Sequence, residues 1–103
     1  MARLIEFSIR STQQLQKILA FYDERNGSDV YSRRLMQNLM DDLQLMAKMP
    51  MASSPSNRPD VRFFYLMGFT IIFRFNSRKL TVLSIRSQQR KPLKIYQKIT
   101  QPK

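Results

Sequence analysis

The sequence predicts an α+β fold, a single domain over residues 1–103 in the order β-α-α-β-β-β, with a helical hairpin packed on a small antiparallel sheet. Three observations predict it. Two stretches with apolar residues at helical spacing adjoin across the turn dipeptide Asn26-Gly27. A Pro- and Ser-rich stretch follows, and it is too short to separate domains. After it come three β-rich runs divided by turns of two to four residues, the spacing of a meander. A chain of 103 residues is the size of one domain. With 43% hydrophobic and 11% aromatic residues it has the means to bury a core.

Each element has its own signal. Residues 3–8 alternate loosely around Leu4, Ile5 and Phe7 and predict a short strand. Ser11 with Gln14 three residues later fits a capping box, which places the start of the first helix there. Leu15, Ile18, Leu19 and Tyr22 continue it, and Gly27, free to take a left-handed conformation, ends it. Ser28 or Asp29 caps a second helix whose apolar face is Tyr31, Leu35, Leu39, Leu43 and Met46, with Met36 and Met40 beside it. Pro50 closes that helix. Helices joined by so short a turn pack antiparallel. Residues 51–59 are a loop. Residues 61–66 form a strand, Met67-Gly68 a tight turn, and residues 69–75 a strand that alternates Phe69, Ile71, Phe73 and Phe75 against Thr70, Ile72 and Arg74. Asn76 to Lys79 turn the chain into a last strand over residues 80–86. There is no internal repeat. Among the seven methionines, Met36, Met40, Met46 and Met49 fall on or beside the apolar face of the second helix. Core packing is the stronger reading for them, and an adaptable groove for a partner's helix is the other.

Composition narrows function. With no Cys there is no disulfide framework and no thiolate metal site, and with no His the commonest general base and metal ligand are missing. Seven carboxylates scattered among eighteen Lys and Arg make a metal centre a poor expectation, and no cofactor motif occurs. The net charge is +11, with pI ≈ 10.8. It is unevenly placed. Residues 1–57 carry seven basic and six acidic side chains, whereas residues 58–103 carry eleven basic ones against Asp60. Such a chain seeks polyanions, whether nucleic acid, an anionic membrane face or an acidic protein. No run is long enough to span a bilayer, and residues 1–10 lack the apolar stretch of a signal peptide, so a cytoplasmic protein is expected.

Several segments, in this order, resemble the RelE/ParE superfamily of bacterial toxins. They are Phe7-Ser8 before the first helix, Phe21-Tyr22 near its end, Gly27 before a long second helix closed by Pro50, and Asp60-Val61-Arg62 opening a strand. Gly68-Phe69-Thr70-Ile71-Ile72-Phe73 follows, then Leu83-Ser84-Ile85-Arg86 running into Arg90-Lys91-Pro92. The resemblance covers residues 7–92, and the long hairpin with the Arg-Lys-Pro ending is closer to the ParE branch. It implies the toxin of a two-gene cassette of the plasmid-stabilising, growth-inhibiting kind, held inactive by a cognate antitoxin. ParE-like members poison DNA gyrase and are not enzymes. RelE-like members enter the ribosome and cut mRNA with basic residues. Neither branch implies a membrane or a small-molecule substrate.

The nuclease pattern wants paired basic residues on the strand that Arg62 opens, but Phe63 and Phe64 offer no second one. It wants an arginine after the turn, where Thr70 stands, with Arg74 four residues further on. Arg86 or Arg90 fills the basic position at the end of the sheet, and Tyr96 is the candidate C-terminal tyrosine. If the chain is RelE-like, its catalytic residues are therefore Arg62, Arg86, Arg90 and Tyr96. As target-binding residues for either branch we take Arg62, Arg74, Arg86, Arg90 and Lys91. A solvated strand position is the plain alternative for each arginine. Cutting a ribose-phosphate backbone needs a proton acceptor as well as charge stabilisation, and arginine, always protonated, supplies only the second. The incomplete set favours the gyrase-binding reading, with the ribosome-dependent endoribonuclease as the alternative and an inactive basic binding module third. Both toxin readings call for an acidic, amphipathic antitoxin.

Overall fold

The computed structural model describes residues 2–88. Strand β1 (Leu4–Phe7) leads into helices α1 (Ile9–Asn26) and α2 (Val30–Lys48). A 3₁₀ turn (Pro50–Ala52) and a two-residue strand β2 (Ser54–Pro55) precede β3 (Val61–Leu66), β4 (Phe69–Phe75) and β5 (Lys79–Ser87). The predicted order stands, with β2 added inside the stretch expected to be only loop. The five strands form one sheet in the order β1-β5-β4-β3-β2.

The sheet is mixed rather than antiparallel, because β1 pairs with β5 in parallel. Chain direction explains this. It reverses at the hairpin tip, between α2 and β3, at Met67-Gly68 and at the β4–β5 turn, so β5 ends up pointing the same way as β1. The meander itself is antiparallel, as expected. Met67 (φ 50°) and Gly68 (φ 85°) both adopt positive φ in its first turn, the backbone that matches the twist of flanking strands.

The start of α1 differs from the capping box. Ser8, in extended conformation, is the N-cap, and its Oγ accepts from the Ser11 N–H (3.0 Å). Ser11, fully buried, donates its hydroxyl to the Val82 carbonyl (2.8 Å). Gln14 Oε1 accepts the Ile85 N–H (2.7 Å). Gln14 therefore fastens α1 to β5, while Ser11 does so and also serves the helix end, its Oγ donating to the Ser8 carbonyl (3.1 Å). Gly27 ends α1 in the left-handed region (φ 66°). Asp29 begins α2 without a side-chain capping bond, and its carboxylate instead accepts from Arg33 Nε (3.2 Å). The last helical residue is Lys48, since the residue before a proline is disfavoured in α conformation and Met49 has left it (φ −138°, ψ 74°). Ser32, buried, donates to both the Leu19 carbonyl and Asp23 Oδ1, which locks the two helices together.

The core lies between the hairpin and one face of the sheet. Leu35, Leu39, Leu43, Met46 and Ala47 of α2 bury against Phe64, Leu66, Phe69, Ile71, Phe73, Leu80, Val82 and Ile85. Helix α1 is more peripheral, for its Leu15, Ile18, Leu19 and Tyr22 are only partly buried. The methionines on the second helix divide accordingly. Met46 is core, Met36 and Met40 are half-buried, and Met49 is exposed.

Candidate functional site

Paired residues on adjacent antiparallel strands share a face, so the register assigns the strand side chains away from irregular pairing. The face away from the helices carries Val61, Phe63 and Tyr65 of β3, Thr70, Ile72 and Arg74 of β4, and Thr81 and Arg86 of β5. Arg74 lies across from Val61 and Thr81, and Arg86 lies across from Thr70. Tyr65 is 60% exposed, and its ring meets Phe63 edge-on at 5.6 Å.

Arg86 reaches this face because of a bulge. The register shifts between Ile72 and Phe73, which face Ser84 and Val82, so Leu83 is the extra residue on β5. Without it Arg86 would keep phase with Leu80 and Val82 and point into the core. With it Ile85 turns inward and Arg86 outward, beside Arg74 on one surface. Thr70, opposite Arg86, is four residues from Arg74, so the two arginine backbones stand about 13 Å apart.

Arg62 belongs elsewhere. It pairs with Phe73, so it emerges on the helix-side face at the open end of the sheet. Its Nε donates to Ser53 Oγ (3.0 Å) and its Nη2 to the Ser53 carbonyl (2.6 Å), while Ser53 Oγ donates to the Pro50 carbonyl (2.6 Å). This guanidinium holds the segment after α2 against β3. The three described arginines singled out in the sequence thus divide, with Arg74 and Arg86 on one face and Arg62 on the other. Arg90, Lys91 and Tyr96 lie outside the described residues.

A second surface lies on the hairpin. A cleft of about 540 Å³ is lined by Leu19, Asp23, Ser32, Arg33, Met36 and Met40, among others. Methionines at its floor and charges of both signs at its rim suit an amphipathic segment better than a small molecule. The sequence pointed to the methionines but not to the outer-face aromatics Phe63 and Tyr65. The signal for the latter was available, because aromatics in the outward phase of a half-covered strand mark a surface with use. Among the described residues no cluster of three carboxylates could hold a metal ion, and no helix is long and apolar enough to cross a membrane.

No protein-family model matches the sequence, and no curated protein matches it either. A solved structure does. A chain from the structure titled "Chromosomal ParDE TA system from P. aeruginosa" superposes with a TM-score of 0.68 at 18% identity. The match covers 84% of this chain and 96% of that one. At that identity the likeness is one of fold, and it agrees with the helical hairpin, the element order and the meander described above. By fold the chain matches that ParDE-system chain over most of the length of both.

Proposed function

We propose that this chain is the toxin of a bacterial type II toxin–antitoxin pair, that it inhibits DNA gyrase by binding it, and that a cognate antitoxin neutralises it in the cytoplasm. The fold shared with a chain of a ParDE TA system supports the toxin assignment. The observation that carries binding over catalysis is the position of Arg62. A ribonucleolytic site needs acceptor, donor and charge stabilisation around one phosphate. Here Arg62 faces away from Arg74 and Arg86 and is bonded to Ser53, and the remaining pair, on β4 and β5, stand about 13 Å apart along the sheet. Two separated cations beside Phe63 and Tyr65 suit contact with a macromolecular surface.

The test is a supercoiling reaction with purified gyrase and increasing amounts of the protein. Loss of supercoiled product is expected, with relief on adding the antitoxin. Full supercoiling at a large molar excess of folded protein overturns the assignment. The ribosome-dependent endoribonuclease is favoured by one observation, the convergence of Thr70, Arg74, Arg86 and Tyr65 on a single face. Primer extension on a translated message tests that reading. New 5′ ends at ribosome-occupied codons would establish it.

A further inference from the structure

One end of the molecule gathers positive charge, of which the surfaces above use only Arg74. The starts of β1, β3 and β5, the end of β4 and the C-terminus of α2 meet there. Arg3 N and Nη1 both donate to the Ala47 carbonyl of α2, the Phe75 N–H donates to the Asp60 carbonyl, and the Asn76 N–H donates to the Lys79 carbonyl. These contacts place Arg3, Lys48, Arg58, Arg74, Arg78 and Lys79 around one rim, with Glu6 and Asp60 as the acids. A shallow pocket in that rim is lined by Asp60, Arg74, Phe75, Asn76, Lys79 and Thr81.

Both acids are already engaged. Asp60 pairs with Arg58 and Glu6 with Lys79, each at 3.5 Å. Arg3 is committed to the carbonyls of Ala47 and Asn76 and lies over the Phe75 ring, 5.3 Å from its centroid. Arg74 and Arg78 are exposed and have no acidic partner among the described residues. The turn between them is fixed, because Asn76 Oδ1 accepts from the backbone N–H of Arg78 and of Lys79, both at 2.8 Å. The rim thus presents spare positive charge from a fixed turn.

We propose that this end binds the phosphate backbone of a nucleic-acid duplex, a contact distinct from the toxin's target although it shares Arg74 with the outer face. The chemistry separates this from docking of an acidic protein. A protein interface draws its affinity from apolar anchors in desolvated pockets. The one aromatic here, Phe75, is half-buried and covered by Arg3. What remains is arginine, lysine, asparagine and threonine, the set that contacts phosphates. Arginine's fork matches phosphate oxygens two at a time.

Salt dependence tests the proposal. Binding of the full chain to a fluorescent DNA duplex of about two helical turns is followed by anisotropy across a salt series. Each phosphate neutralised contributes about 0.9 to the log–log slope. The double variant Arg74→Gln/Arg78→Gln should flatten the slope by about 1.8. A charge-matched variant on α1, Arg10→Gln/Lys17→Gln, should flatten it by less than half as much. Neither double removes a described ion pair, so both should keep the parent's melting temperature. Equal flattening by the two variants would mean that net charge alone attracts the duplex, and it overturns the proposal. So does an unchanged slope for Arg74→Gln/Arg78→Gln, which would move the contact to residues 89–103. If that variant binds the duplex normally but loses affinity for polyglutamate, the rim serves an acidic polypeptide and the proposal also falls. None of these outcomes depends on whether the protein inhibits gyrase.

Discussion

At the scale of single residues, the most informative side chains are polar ones the fold has buried. Ser11 is fully buried, and its hydroxyl bonds the Val82 carbonyl in β5. Ser11→Ala should cost about 1 kcal/mol through loss of the hydroxyl's own bonds, although the Val82 carbonyl keeps the Ser8 N–H as a partner. A denaturant melt reads that as a lower midpoint at unchanged slope. Read from sequence alone, Ser11 and Gln14 form a capping box, and the signal is real in kind. Three residues upstream Ser8 competes for the same role, and only the position of β5 decides between them. A local pattern holds no information about a strand seventy residues away, so the two side chains were legible as polar and useful but not as bridges. Asp42 provides a titration test. Burial, with the neighbouring Asp41 second, raises its carboxyl above the ordinary value of 3.8. The folded state therefore holds this proton more tightly than the unfolded chain. Stability falls as pH rises from the unfolded value through the folded one, and it stays lower at neutral pH. Asp42→Asn should raise the melting temperature at pH 7 slightly. The gain should vanish below the carboxylate range.

Elements show a different division between what sequence reveals and what it hides. Period-two alternation located β4 to the residue, and positive-φ chemistry located the turns at Gly27 and Met67-Gly68. The bulge at Leu83 was not legible. Leu80 to Ile85 is apolar at four of six positions, so it supports either phase, and the register came only from pairing with β4. That single residue decides whether Arg86 is a surface cation or a buried one. The strand β2 was hidden for a related reason. Ser54-Pro55 has no strand propensity, and its pairing with Phe63 and Arg62 accompanies the Arg62 bonds to Ser53. Arg62→Met removes those bonds while keeping an apolar stem. It should lower stability by about 1–2 kcal/mol through release of the segment after α2. Gyrase inhibition should persist at temperatures where the variant is folded. Unchanged stability with lost inhibition would make Arg62 a contact to the target instead.

The whole molecule is asymmetric in a way that bears on its partner. Helix α2 supplies fully buried residues along its length, whereas no apolar side chain of α1 is fully buried. The cleft between the helices keeps Leu19, Met36 and Met40 partly open to water. A domain of this size has a small core for its surface, and incomplete cover on one helix lowers its stability further. Under the proposed function the antitoxin supplies the missing cover. A ligand that binds only the folded state, present at a thousand times its dissociation constant, stabilises by about 4.1 kcal/mol. For a domain near 100 residues each kcal/mol is worth about 4–8 °C. The cognate antitoxin should therefore raise the melting temperature by roughly 15–30 °C, more than any surface substitution could. Met40→Glu places a charge in the cleft, where a covering apolar segment would have to desolvate it. It should leave the free protein melting within a few degrees of the parent and remove most of the antitoxin-induced rise. A full rise retained in that variant would place the antitoxin away from the hairpin cleft. The apolar side chains of α1 would then have to be covered by something else.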